Sequence, residues 1–205
     1  MSRDQIHNEP MLFGCSPEFV LERRDALLAN SVLAYLKLTR ELDRAEEYCR
    51  RHGKWLVIDT RSHMLMPGMY PAIPGWHADA YPRYRYGDQP DLEAAQPDTP
   101  HYVVHVSDQD EGVSRTLFAE QPFTCDVDTT KVWASVHRQM ECSAISTKRF
   151  LDGQIVRMLQ PTLHRAAAAY TKGWRWWMRM SCFYKPPENA IRKQVQVYTT
   201  EGGGW

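Results

Sequence analysis

Neither sign of charge predominates in this sequence: 25 lysines and arginines face 25 aspartates and glutamates over 205 residues. Without a global field nothing draws the chain toward an anionic membrane, and nucleic acid is a disfavoured partner in the absence of a basic run. Cysteines are few and badly spaced for bridging. Cys15, Cys49, Cys125, Cys142 and Cys182 are odd in number and contain no CxxC pair, which argues against a disulfide framework and a structural zinc site and for a reducing, intracellular compartment. No apolar run approaches the roughly 18 residues of a membrane span, and the polar stretch Met1 to Pro10 lacks the layout of a signal peptide. A soluble, cytoplasmic protein is expected. There is no internal repeat, and the length suits one domain, 1–205, of undetermined oligomeric state.

What is present divides into two textures. Ser16-Pro17-Glu18 is a helix start, with a hydroxyl cap, a proline where its missing N–H costs nothing, and a carboxylate in the first turn. Leu28, Val32, Tyr35, Leu36, Leu42 and Ala45 continue at helical spacing, and Arg50-Arg51-His52-Gly53 closes with a basic turn and a glycine stop. The pattern predicts one long helix, or two broken near Asn30-Ser31, forming a helical support over 16–53.

After Gly53 short β-rich runs take over. Trp55–Ile58 and His101–Val106 read as strands, with Thr116–Phe118 and Phe123–Cys125 as two more. Four prolines between Tyr81 and Pro100 mark a long irregular loop, the kind that serves as a lid or binding loop. Val132, Trp133, Val136 and Met140 indicate a short helix, and Asp152-Gly153 a tight turn joining Phe150-Leu151 to Ile155-Val156 in a hairpin. Trp174–Tyr184 is an apolar, aromatic strand, followed by a second run, Gln194–Tyr198, and a flexible tail, Gly202–Trp205. Helices packed on many short antiparallel strands predict a mainly β protein with helical support and a jelly-roll core over 54–200.

The chemistry concentrates in Gly75-Trp76-His77-Ala78-Asp79. In extended chain residues i and i+2 project to one side, so His77 and Asp79 present an imidazole and a carboxylate to the same ion. Two histidines and one carboxylate on one face of an octahedron leave the opposite positions open, the arrangement of non-haem Fe(II) oxygenases. His164, in Gln160-Pro161-Thr162-Leu163-His164-Arg165-Ala166, follows a predicted strand, and Gly173-Trp174-Arg175-Trp176-Trp177-Met178-Arg179-Met180-Ser181 opens the next.

In the order His-x-Asp, distal His, then Arg, residues 55 to 184 resemble the Fe(II)/2-oxoglutarate-dependent oxygenase superfamily. The resemblance implies a double-stranded β-helix of the cupin-like, jelly-roll type, with Fe(II) on His77, Asp79 and His164 and with 2-oxoglutarate and dioxygen as cosubstrates. It also implies hydroxylation of a C–H bond with release of succinate and CO2. Asp79 stands where the halogenating branch has a small residue, which favours hydroxylation. Arg175, Arg179 and Ser181 share strand parity. A guanidinium can grip the distal carboxylate of 2-oxoglutarate with two charge-assisted hydrogen bonds. Arg175 lies at the commoner distance from the distal histidine and Arg179-Met180-Ser181 looks like an Arg-x-Ser anchor, so both remain candidates.

Other residues fall near the expected site. Tyr70, Tyr81, Tyr84 and Tyr86 crowd the loops around Trp76, to line a substrate mouth or to seal the loop. His101 and His105 share a strand face and are candidates for substrate contact; Arg165, beside the distal ligand, is a candidate for a substrate carboxylate or phosphate. His137 reads as a surface residue. The expected substrate is a small polar metabolite such as an amino acid or nucleotide, with a peptide open. The alternatives are a cupin-like barrel that binds a ligand without oxidising it, and a hydrolase in which the same residues hold zinc.

Overall fold

The computed structural model describes residues 1–83, 89–94, 96–122 and 124–199. Tyr84, Tyr86, Phe123 and the tail Gly202–Trp205 lie outside the described residues. The chain begins with a short helix the sequence pattern did not reveal, α1 (Arg3–Asn8), held by a capping box between Ser2 and Gln5. Strand β1 (Met11–Phe13) follows, then α2 (Pro17–Leu21), α3 (Leu27–Leu38) and α4 (Glu41–Arg51). Ser16 caps α2 as expected, its hydroxyl accepting from the Phe19 amide at 3.2 Å.

The helical stretch does not break at Asn30-Ser31. Both side chains bond back toward the helix start: Asn30 Nδ2 donates to the Arg23 carbonyl ahead of α3 and Ser31 Oγ to the Leu27 carbonyl, each at 2.8 Å. The breaks fall before and after that helix. The buried Glu9 carboxylate accepts from the Leu28 and Ala29 amides at 3.0 Å each and so fixes the start of α3. At the other end Arg40 adopts a left-handed φ of 61°, which separates α3 from α4. Gly53, at φ 61°, ends α4 where expected.

The remaining elements are β2 (Trp55–Leu65), β3 (Pro100–Ser107), β4 (Thr116–Ala119), α5 (Val132–Glu141), β5 (Thr147–Arg149), β6 (Val156–Leu159), β7 (His164–Ala166), β8 (Gly173–Phe183) and β9 (Ala190–Arg192). They build a four-stranded antiparallel sheet, β2-β8-β3-β6, a three-stranded one, β5-β4-β7, and the pair β1-β9. A bridge from Cys15 to Ile58 sets the chain after β1 against β2, so sheet structure begins well before residue 54. The protein is thus mainly β with a few helices, and among the described residues the sheets do not close into a barrel.

Two local expectations fail. The segments flanking Asp152-Gly153 do not form a hairpin, because β5 pairs with β4 and β6 with β3. The turn instead carries the chain between sheets, fixed by Asp152 accepting from the Ser107 amide at 2.6 Å. Thr124-Cys125 and Gln194–Tyr198 form no strand apart from a single bridge between Tyr198 and Tyr70.

Parity along β2, β3 and β8 gives the four-stranded sheet two different faces. Ile58, Tyr102, Val104, Trp176, Met178 and Met180 point to the helices and pack against Leu33, Leu36, Leu42 and Ala45. Each such buried side chain stabilises by about 1.5–3 kcal/mol. The other face meets the three-stranded sheet, where Phe118 of β4 packs with Val103, Val156 and Met158. Beside that small apolar contact a cavity opens between the sheets. No described helix is long and apolar enough to cross a membrane.

Candidate metal centre

His77 and His164 oppose each other in an antiparallel bridge, the His77 amide donating to the His164 carbonyl at 3.0 Å and the His164 amide returning the bond at 2.8 Å. Directly opposed residues carry their side chains on the same side of a sheet, about 5 Å apart. The two imidazole centroids accordingly stand 4.6 Å apart. Asp79, two residues on, projects the same way, with Oδ2 at 3.4 Å from His164 Nε2 and Oδ1 at 4.0 Å from His77 Nε2. One ligand atom from each residue lies within 4.8 Å of the others.

The ring tautomers follow from the partners. His77 Nδ1 is 2.9 Å from the Gly75 carbonyl and His164 Nδ1 is 3.0 Å from the Thr162 carbonyl. A carbonyl only accepts, so each Nδ1 carries the hydrogen and each Nε2 offers its lone pair toward Asp79. That is how a metal-binding histidine is oriented by its outer contacts. Burial, with His164 adding to it, lowers the pKa of His77 to about 4. The His77 ring is therefore neutral, as a ligand must be.

Asp79 is held from behind. Arg179 Nη1 donates to Asp79 Oδ2 at 2.8 Å, while its Nη2 donates to Asp59 Oδ2 at 2.9 Å. Burial works against the Asp79 charge, but Arg179 outweighs it and keeps the carboxyl well below its usual range. Gln160 steadies the next residue by donating to the Ala80 carbonyl at 2.7 Å. Helix α5 supports the preceding ones: Trp76 donates its amide to His137 Nδ1 at 3.4 Å and its Nε1 to Glu141 at 2.9 Å.

The three ligand residues line a cavity of about 430 Å³ between the sheets. Arg175 lies in its wall, only 3% exposed, and its one hydrogen bond runs from Nη2 to Thr116 Oγ1 on the opposite sheet at 3.3 Å. Its Nε is buried without a partner, and among the described residues no carboxylate stands within ion-pair distance of it. Burial lowers its pKa to about 10. Across from it in the β2-β8 register is His63, 1% exposed, with neither ring nitrogen hydrogen-bonded. Burial, and then Arg175, bring the pKa of His63 down to about 3.

The structure thus brings His77, Asp79, His164, Arg175 and Arg179 to one cavity. Ser181 keeps the expected parity with both arginines but is buried opposite His101, outside the cavity wall. His101 and His105 share a face as expected; both are buried, and His105 stands 3.6 Å from Asp152. Neither lines the cavity.

Three candidate substrate residues stand away from the cavity lining. Trp76 packs with Val136 and Met140 against α5, because its indole N–H is drawn to Glu141. Arg165 follows it there, 2.9 Å from Glu141 and over the Trp76 ring, since neighbours of His164 in β7 point to the opposite side of the sheet. Tyr70 bridges to Tyr198 and is not among the cavity residues. Conversely, His137, read as a surface position, ties α5 to the ligand loop. Arg61, His63, Thr116 and Trp133 line the cavity, and Asp59 shares Arg179 with Asp79, yet sequence reading named none of these five for the site. The available signal was the alternation Asp59-x-Arg61-x-His63.

Comparison of the chain with protein families, with curated proteins and with solved structures gave no match.

Proposed function

We propose that the chain is an Fe(II)/2-oxoglutarate-dependent dioxygenase that hydroxylates a C–H bond of a small polar substrate, releasing succinate and CO2. One observation carries this reading: a His77-Asp79-His164 triad with its lone pairs converging shares a cavity with a buried guanidinium that lacks a carboxylate partner. The donor set fits a ferrous ion, with two imidazoles whose Nδ1 atoms face backbone carbonyls and one oxygen of Asp79 left free by Arg179. Bound there with 2-oxoglutarate, the iron supplies the oxygen-dependent C–H oxidation.

The protein's own groups divide the remaining work. Arg179 is occupied by Asp59 and Asp79, and so orients the metal carboxylate. Arg175, with the Thr116 hydroxyl beside it, is the group with capacity left for a carboxylate, and it anchors the far end of 2-oxoglutarate. Trp133 and Trp177 flank the cavity and keep water away from the reacting carbon. The sheets facing each other, with His77 extending the smaller one beside β7, are consistent with a jelly-roll of the cupin-like kind.

The test is anaerobic addition of Fe(II) and then 2-oxoglutarate, followed in the visible range. A weak absorption band requiring both additions is expected; His164→Ala removes it by losing iron. Arg175→Gln retains iron and weakens 2-oxoglutarate roughly 10- to 100-fold, the equivalent of one or two charge-assisted hydrogen bonds. Tight zinc with no 2-oxoglutarate-dependent band points instead to a zinc hydrolase or a barrel that only binds ligand.

A further inference from the structure

Among the described residues four arginines line the cavity, Arg61, Arg83, Arg175 and Arg179, against a single acid, Asp79. Arg179 is consumed by Asp59 and Asp79, and Arg175 is assigned to the cosubstrate. Of the other two, Arg61 projects from the same face of β2 as Asp59 and His63 and stands opposite Trp177 of β8. Its guanidinium lies 5.6 Å from the Trp177 ring centroid, and among the described residues it makes no ion pair and no hydrogen bond. Burial and the neighbouring Arg179 both disfavour its charge. A guanidinium in such a wall gains most from a bound anion.

Alternate residues along a strand are about 7 Å apart. Arg61 therefore sits one repeat from the Asp59-Arg179-Asp79 chain of charge, on the cavity wall but off the metal ligands. The surfaces nearby are apolar or aromatic: Trp177, Phe183, Tyr81 and Trp133. Resting on the oxygenase reading, we infer that the oxidised substrate is a small carboxylic acid with an apolar or aromatic body, its carboxylate held by Arg61 and its body against Trp177. A guanidinium matches a carboxylate with two parallel N–H donors.

Calorimetric titration tests this with a series of alkanoic and arylalkanoic acids, among them 3-phenylpropanoate, and their amides. Each is added under nitrogen to wild type, Arg61→Gln, Arg61→Lys and Arg175→Gln protein, with and without Fe(II) and 2-oxoglutarate. Wild type is expected to bind at least one acid tenfold or more tighter than its amide, Arg61→Gln to abolish that preference, and Arg61→Lys to retain part of it. 2-Oxoglutarate should show the reverse pattern, weakened by Arg175→Gln and unchanged by Arg61→Gln. Acid preference that survives Arg61→Gln, or the absence of any acid preference in wild type, overturns the inference while leaving the oxygenase reading intact. Absence of 2-oxoglutarate binding overturns that reading, while the acid-against-amide comparison still reports on Arg61. If Arg61→Gln does not fold, the wild-type and Arg61→Lys titrations decide.

Discussion

The two faces of the four-stranded sheet are drawn from alternate residues of the same strands. Toward the helices β8 presents Trp176, Met178, Met180 and Cys182; toward the second sheet it presents Arg175, Trp177, Arg179 and Ser181. Burial is nearly as deep on the second face, where His63, His101, His105, Arg175 and Ser181 are all inaccessible. The difference lies in how the buried groups are satisfied. The helix-side residues gain chiefly by leaving water, with the Trp176 Nε1 as their one polar atom on β8 without a partner among the described residues, whereas polar atoms of four residues on the other face, His63, His101, Arg175 and Ser181, have no hydrogen-bond partner. Of these, His63 and Arg175 lie on the cavity wall, where a bound ligand would satisfy them.

Substitutions should separate the faces. Trp176→Ala is expected to cost about 4 kcal/mol of unfolding free energy in urea, by loss of burial and creation of a cavity. A cost near zero would show that the helical layer does not carry the stability. Within the polar face the two arginines should behave oppositely. Arg179→Met strands Asp59 and Asp79 and should cost about 3 kcal/mol, while Arg175→Met removes a buried charge without an ion-pair partner and should be neutral or stabilising. Equal losses in the two variants would contradict this division.

Acid should act on the polar face through its buried histidines. Burial takes His63, His101 and His105 to a pKa of about 3 in the folded protein, with nearby charges as smaller contributors. The unfolded chain takes up protons as pH falls through about 6.5. It therefore binds more protons than the native state between there and about 3, and stability declines across that window. Each histidine should contribute about 2 kcal/mol of loss between pH 7 and 5. Urea midpoints that stay level over this range would show that these rings are not buried neutral. The smallest effect belongs to the helical side, where Ser16→Ala removes the α2 cap for about 1 kcal/mol and leaves 2-oxoglutarate binding unaltered.

The parity of Arg175, Arg179 and Ser181 was readable because β8 is apolar on its alternate positions, which makes the strand and its phase plain. The matching stretch of β2 was not. On the helix side it carries Thr60 and Ser62 rather than hydrophobic residues, because these hydroxyls donate to the Pro10 and Ile6 carbonyls of the N-terminal segment. With both faces polar there, hydrophobic periodicity stops at Ile58, and Asp59, Arg61 and His63 lose their place in the pattern. Trp76 and Arg165 were misplaced for a related reason. Adjacency to a ligand in sequence puts a residue on the other side of an extended chain, and Glu141, distant in sequence, was there to receive both.

By itself the sequence determined the strand-rich body, the Ser16 cap and Gly53 stop of its helical stretch, and the residue types able to ligate a metal, since each depends on neighbours within a few positions. Only the tertiary structure decided that His77 pairs with His164, that Arg179 spends its charge on Asp59 and Asp79, and that Arg175 and Arg61 keep theirs. Those outcomes rest on which strands lie opposite one another. Electrostatic pairing is a matter of a few ångströms between residues up to 120 positions apart, a distance no local pattern encodes.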